Sequence, residues 1–136
     1  MITREDLDKL MTEKEFQLSV RDIANQLGWI VGFTYDSRHS EPGEPDLRMV
    51  HPVMKRVVFA ELKTMKGKLS KGRWTKDRRG NNKKWLHGQD EWGEALSSCS
   101  GIEYYLWRPS DMQDILSKLT YPPLKGGVVI SKFEIV

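Results

Sequence analysis

The sequence contains a single cysteine, Cys99. One cysteine excludes an intrachain disulfide framework and a cysteine-rich zinc site, and it fits a reduced, cytoplasmic setting. Long apolar runs are missing too. No stretch approaches the roughly 20 residues that span a bilayer, so no membrane segment is expected. The opening residues, Met1-Ile2-Thr3-Arg4-Glu5-Asp6, are too charged for a signal peptide. The Gly-x-x-x-x-Gly-Lys-Ser/Thr pattern is absent, which removes the case for ATP use. His39, His51 and His87 lack zinc-ligand spacing and read as scattered surface residues. Acid is scarce in one segment: from Lys66 to Lys84, nine lysines and arginines face Asp77 alone.

What is present suits one globular domain over residues 1–136. Charged residues make up 30% and hydrophobic residues 38%, with five tryptophans to fill a core. The net charge of +3 is a mild excess, so its distribution says more than its total.

Phe16, Val20, Ile23, Ala24 and Leu27 recur at helical spacing and predict an amphipathic helix ending at Gly28. Thr12-Glu13-Lys14-Glu15 reads as its capping box, and Thr3-Arg4-Glu5-Asp6 offers a weaker, earlier start. Strands are expected at Trp29 to Tyr35, Asp46 to Val50, Val57 to Lys63 and Glu103 to Trp107. A helix is expected from Gln89 to Cys99, with Cys99 as a buried packing residue. Ser110 and Gln113 predict the start of a last helix whose apolar face is Met112, Ile115, Leu116 and Leu119. The segment 66–87 reads as a long basic inserted loop, and 120–136 as a tail that forms either an extra strand, at Val128 to Ile130, or an arm. The order predicts a mixed α/β domain: a central mixed sheet of about four strands flanked by helices, αβββαβ plus a C-terminal helix.

The hairpin of the second and third strands carries the chemistry. With its turn centred between Val53 and Met54, Asp46 lies opposite Glu61. Side chains alternate along a strand, so Glu61, Lys63 and Asp46 share one face. Facing carboxylates destabilise a sheet unless something offsets their repulsion. A hard divalent cation would do so and would activate water beside a phosphate. An ordinary solvated hairpin with mixed charges is the alternative.

Wider patterns favour the first reading. Pro45-Asp46 followed by Glu61-Leu62-Lys63 resembles the signature of the PD-(D/E)xK nucleases. Thr12-Glu13, Phe16-Gln17, Leu27-Gly28-Trp29, Asp36-Ser37-Arg38, Gly43-Glu44-Pro45-Asp46-Leu47, Phe59-Ala60-Glu61-Leu62-Lys63, Gln89 with Trp92, and Trp107-Arg108-Pro109-Ser110-Asp111 together resemble the virus-type replication–repair nuclease family, common in phages. The resemblance runs from about Thr12 to Leu119. It implies a restriction-endonuclease-like core and hydrolysis of DNA phosphodiesters with Mg²⁺ or Mn²⁺. It implies branched or structured DNA as substrate, often with a homodimer as the working form. By the same resemblance Asp46, Glu61 and Lys63 are the catalytic trio, and the Leu62 carbonyl joins the metal ligands.

Two further positions follow from geometry combined with the resemblance. At about 100° per residue, Glu13 falls in the arc of Phe16, Val20, Ile23 and Leu27, whereas Glu15 falls opposite. Glu13 is therefore the candidate metal-binding glutamate, a flanking helix-start charge being the alternative. Gln89 shares a helix face with Trp92 and Leu96 and is a candidate to hold Lys63, a water or a phosphate; a plain helix-start residue is its alternative. The basic segment departs from the family's usual spacing. Its Lys66, Lys68, Lys71, Arg73, Arg78, Arg79, Lys83 and Lys84, with Arg38, are candidate DNA contacts. Trp74 and Trp85 either stack on unpaired bases or cover the core edge. A non-cutting nuclease-fold DNA-binding module and a small domain binding an acidic protein are the competing functions.

Overall fold

The computed structural model describes residues 1–34 and 40–123. Arg38, His39 and the expected strand at Val128 to Ile130 lie outside the described residues. The chain forms helices α1 (Arg4–Leu10) and α2 (Glu13–Gln26), then strands β1 (Ile30–Phe33), β2 (Leu47–His51) and β3 (Arg56–Leu62). A separate hairpin of β4 (Arg73–Lys76) and β5 (Asn82–Leu86) follows, then helix α3 (Gln89–Ser97) and strand β6 (Glu103–Trp107). A 3₁₀ turn (Pro109–Asp111) leads into helix α4 (Met112–Thr120).

Among the described residues this is a mixed α/β fold with four α-helices and a four-stranded sheet ordered β1-β2-β3-β6. The first three strands are antiparallel; β6 joins β3 in parallel after the crossover through α3. Leu47 pairs with Ala60 and Met49 with Val58, the register that the turn at Val53-Met54 predicts. One sheet face is dry. Leu47, Met49, Val58, Ala60, Leu62, Tyr105 and Trp107 meet Phe16, Val20 and Ala24 of α2 and Ile115 and Leu119 of α4. Each of the larger aliphatic side chains and Phe16 contributes about 1.5–3 kcal/mol on burial. The other face receives α3, where the close approach of Gly93 to the Tyr104 ring needs a residue with no Cβ.

Thr12 caps α2 as expected, its hydroxyl accepting from the Glu15 amide while the Glu15 carboxylate accepts from the Thr12 amide, both at 3.1 Å. The earlier Thr3 signal marks a separate helix, closed by its own capping box with Asp6. That helix buries no residue, so it leaves no hydrophobic period to detect.

Four other expectations need correction. The basic segment is not simply a loop: Trp74, Thr75 and Trp85 are strand formers, and the Asp77 carboxylate accepts from the Arg79 and Asn81 amides to close a turn between them. The last helix is not capped by Ser110; Asp111 accepts from the Arg108 amide at 2.8 Å, and Leu116 stays 48% exposed. Cys99 is exposed, because α3 has ended before it. His51 is buried, its Nδ1 accepting from the Met54 amide and its Nε2 2.9 Å from the Leu27 carbonyl oxygen.

The two ends of the sheet differ. At the start of β3 and β6, Arg56 and Glu103 form a buried two-pronged ion pair at 2.6 and 2.7 Å. Tyr105 donates to Glu103, and Arg56 donates to the carbonyls of Lys118 and Tyr121 at the close of α4. The opposite end of β3 holds Glu61.

Candidate active site

Asp46 precedes β2, and the backbone clamps it there: its carbonyl accepts from the Thr34 amide at 3.0 Å. Its side-chain Oδ2 accepts from the Leu62 amide, also at 3.0 Å. Leu62 thereby serves both sides of the sheet, with its side chain in the core and its amide on Asp46. Glu61 is 1% exposed. Its Oε1 accepts from Gln89 Nε2 at 3.3 Å, while its Oε2 is buried without a hydrogen-bond partner.

Electrostatics follow from that burial. Desolvation, then the hydrogen bond and the charge repulsion with Asp46, push the Glu61 carboxyl up to about 10. Lys63 opposes the shift and Glu13 adds slightly to it. Lys63 is half-buried, with its amide donating to the Trp107 carbonyl at 3.0 Å. Its ammonium therefore only partly offsets the two acids. In the protein alone, Glu61 keeps its proton through neutral pH.

Glu13 lies at the start of α2 beside this pair. Partial burial raises its carboxyl, and Asp46 raises it further against the pull of Lys63. It lines a groove of about 620 Å³ with Gln17, Arg21, Phe33, Thr34 and Asp46. Among the described residues, no three acidic, histidine or cysteine side chains stand close enough to hold an ion. The acids that come together are thus a pair, Asp46 and Glu61, with Glu13 outside it.

Gln89 occupies a bridging position. One amide end donates to Glu61, and the other accepts from the Ser70 amide at 2.9 Å. The Gln89 amide donates in turn to Ser70 Oγ at 3.1 Å. Of the candidate partners Lys63, a water and a phosphate, Lys63 is not among the side chains it meets here; Gln89 meets Glu61, because the start of α3 sits over β3.

Three residues escaped the sequence reading. Arg108 donates to the carbonyls of Thr64 and Gly67 at 2.6 and 2.7 Å, fixing the chain that leaves Lys63. The Tyr104 hydroxyl is buried without a partner near Glu61 and Asp46; burial and then those charges raise it. Thr34 Oγ1 is buried and unpartnered next to Asp46. Tyr104 shares the Glu61 face only because β6 is parallel to β3 in one register, which the sequence does not disclose.

The basic hairpin joins the site through its roots. Lys66, Lys68, Lys71, Arg73, Lys76, Arg78, Arg79, Lys83 and Lys84 are exposed, and none has a carboxylate partner among the described residues. Trp85 Nε1 donates to Glu91 Oε2 at 3.2 Å, and His87 Nδ1 pairs with the same oxygen. No protein-family model, curated protein or solved structure matches the chain.

Proposed function

We propose that this chain is a metal-dependent deoxyribonuclease with a PD-(D/E)xK core, resembling the virus-type replication–repair nucleases and acting on branched or structured DNA. One observation carries the reading: a buried carboxylate, Glu61, holds an unpartnered oxygen beside a second acid, Asp46, with Lys63 on the same face. Two carboxylates in this state either share a proton or bind a cation.

The donor set suits a hard divalent ion. Mg²⁺ and Mn²⁺ take oxygen ligands, and Mg²⁺ needs only one or two carboxylates plus waters. Asp46, Glu61 and the Leu62 carbonyl would hold it, and Glu13 would assist from the groove. When bound, the ion supplies a Lewis acid that eases deprotonation of water and stabilises charge on a phosphate.

The protein's own groups do the rest. The Leu62 amide takes one oxygen of Asp46 and Gln89 takes one of Glu61, which leaves each acid a free oxygen. To hold the ion, Glu61 would release its proton to solvent. Lys63 orients the water that attacks phosphorus and offsets the developing negative charge. The 3′ oxygen leaves, and the product keeps a 5′-phosphate, as the resemblance implies.

The test uses purified protein with labelled four-way junction, flap, single-stranded and duplex DNA, in Mg²⁺, in Mn²⁺ and in chelator. Cleavage that needs the cation and falls by at least about 100-fold in Lys63→Ala and Asp46→Ala, with binding retained, supports the reading. Unchanged cutting by either variant refutes the site. Binding without cutting by the unaltered protein makes the chain a non-cutting module.

A further inference from the structure

We infer that the Trp74–Trp85 face of the β4–β5 hairpin docks the unpaired bases of a single-stranded DNA segment. The inference rests on DNA being the substrate and adds which part of it the hairpin receives. Trp74 and Trp85 are directly opposed across the two strands. Their rings meet edge to face, with centroids 5.4 Å apart and planes at 71°. The two tryptophans are unequal. Trp85 is anchored: its indole N–H donates to Glu91, and its ring lies so close to Gly72 that any Cβ there would collide with it. Among the described residues the Trp74 indole has no hydrogen bond, and 47% of the residue's surface lies in solvent. The anchored ring therefore props an open one.

An isolated two-stranded hairpin is marginal and needs cross-strand packing. A ring pair serving that purpose alone would cover both rings. Here both rings stay exposed, Trp74 at 47% and Trp85 at 36%, on a hairpin rich in cations. Arg73 and Lys76 flank Trp74 on its strand; Lys83 and Lys84 precede Trp85 on the other. Among the described residues none has a carboxylate partner: the hairpin's own acid, Asp77, is occupied by the turn amides, and Glu91 by Trp85 and His87. Cations alone would serve the phosphates of a duplex, whose bases are already stacked. An open indole adds attraction only for a base free to stack on it.

The platform also has a defined position. Glu91 holds Trp85, and two residues earlier on the same helix Gln89 holds Glu61. The first turn of α3 thus spaces the stacking surface from the acidic pair. A strand lying on the hairpin enters the groove from a single-stranded side, which selects DNA in which unpaired bases adjoin the cut.

Binding is measured by fluorescence anisotropy in chelator, so no cutting intervenes. The probes are labelled oligothymidylate of about 15 nucleotides, within the span one such surface covers, an abasic strand of equal charge, and a duplex of equal length. The full chain, Trp74→Leu and Trp74→Phe are compared, with circular dichroism to verify the fold. We expect Trp74→Leu to weaken oligothymidylate binding by about 5- to 100-fold, with duplex binding within about twofold and Trp74→Phe largely restored. The unaltered protein should bind the abasic strand correspondingly less tightly than oligothymidylate. Equal affinity for those two probes overturns the inference without any variant, as does a loss in Trp74→Leu that is the same for duplex. Failure of the nuclease reading would appear separately, as uncut DNA in Mg²⁺.

Discussion

Glu61→Gln should change how stability depends on pH. Glutamine copies the protonated carboxyl: its carbonyl accepts from Gln89 and its amide faces Asp46. The sign follows from the direction of the shift. Folding raises the Glu61 carboxyl from about 4.5 to about 10. Below the unfolded value both states hold the proton, and Glu61 adds no pH dependence. Above it the unfolded chain releases a proton that the folded chain keeps. Stability therefore falls as pH rises, by up to about 1.4 kcal/mol per unit, and levels off only near the folded value. Between about pH 5.5 and 8 the unaltered protein should lose up to about 3 kcal/mol relative to Glu61→Gln. Urea unfolding of both proteins in chelator, at several pH values, measures the difference directly, because the other titrating groups nearly cancel. Stability curves that stay parallel across this range would refute the buried, protonated Glu61. On the proposed reading, saturating Mg²⁺ should flatten the trend in the unaltered protein alone, since a loaded Glu61 would hold no proton in either the folded or the unfolded chain over this range.

Three further outcomes follow from the same geometry. Arg56→Ala strands the buried Glu103 carboxylate and should cost about 3–5 kcal/mol in urea unfolding, whereas Arg56→Met with Glu103→Leu should recover most of the loss. Neutralising Arg78, Arg79, Lys83 and Lys84 together should weaken DNA binding and lower the slope of log affinity against log salt by up to about 3–4; an unchanged slope would remove the hairpin from the interface. Gly72→Ala should push Trp85 off Glu91 and speed tryptic cleavage at Arg78 and Arg79 while the sheet stays intact, and cleavage at the original rate would show that this contact does not hold the hairpin.

The hairpin that presents Asp46 and Glu61 was legible because two local rules agree. Alternation put Glu61 and Lys63 on one face, and a short turn allowed few registers, so the Leu47–Ala60 pairing followed. Helix α2 was legible for a similar reason, with its cap and its apolar period in agreement. What failed was non-local or masked by charge. Tyr104 reaches the acids through a parallel pairing that spans a whole crossover, and no local pattern sets that register. In the basic segment, the lysines hid two strands that Trp74, Thr75 and Trp85 mark, with Gly80 at φ 84° in the turn. Arg108 looked like part of a motif; its work is to hold the chain after Lys63.

Two buried glutamates on neighbouring strands supply the strongest internal comparison. Glu103 is 4% exposed and Glu61 is 1% exposed, so solvent relieves neither. Glu103 has both oxygens on Arg56 and accepts from Tyr105 as well. Glu61 has Gln89 on one oxygen and, in place of a cation, a second acid, Asp46, beside it. A fold selected only for stability would give both a cationic partner, since a buried acid without one stays neutral only by keeping its proton, which costs stability as pH rises. The same sheet shows how this protein neutralises a carboxylate when neutrality is all that is needed. At the other end it keeps two acids and a lysine unresolved, beside an open groove and beneath the helix that also anchors the basic hairpin. On the proposed reading, that contrast is the cost of a site for a divalent cation, which would suit the two acids by charge and by donor type.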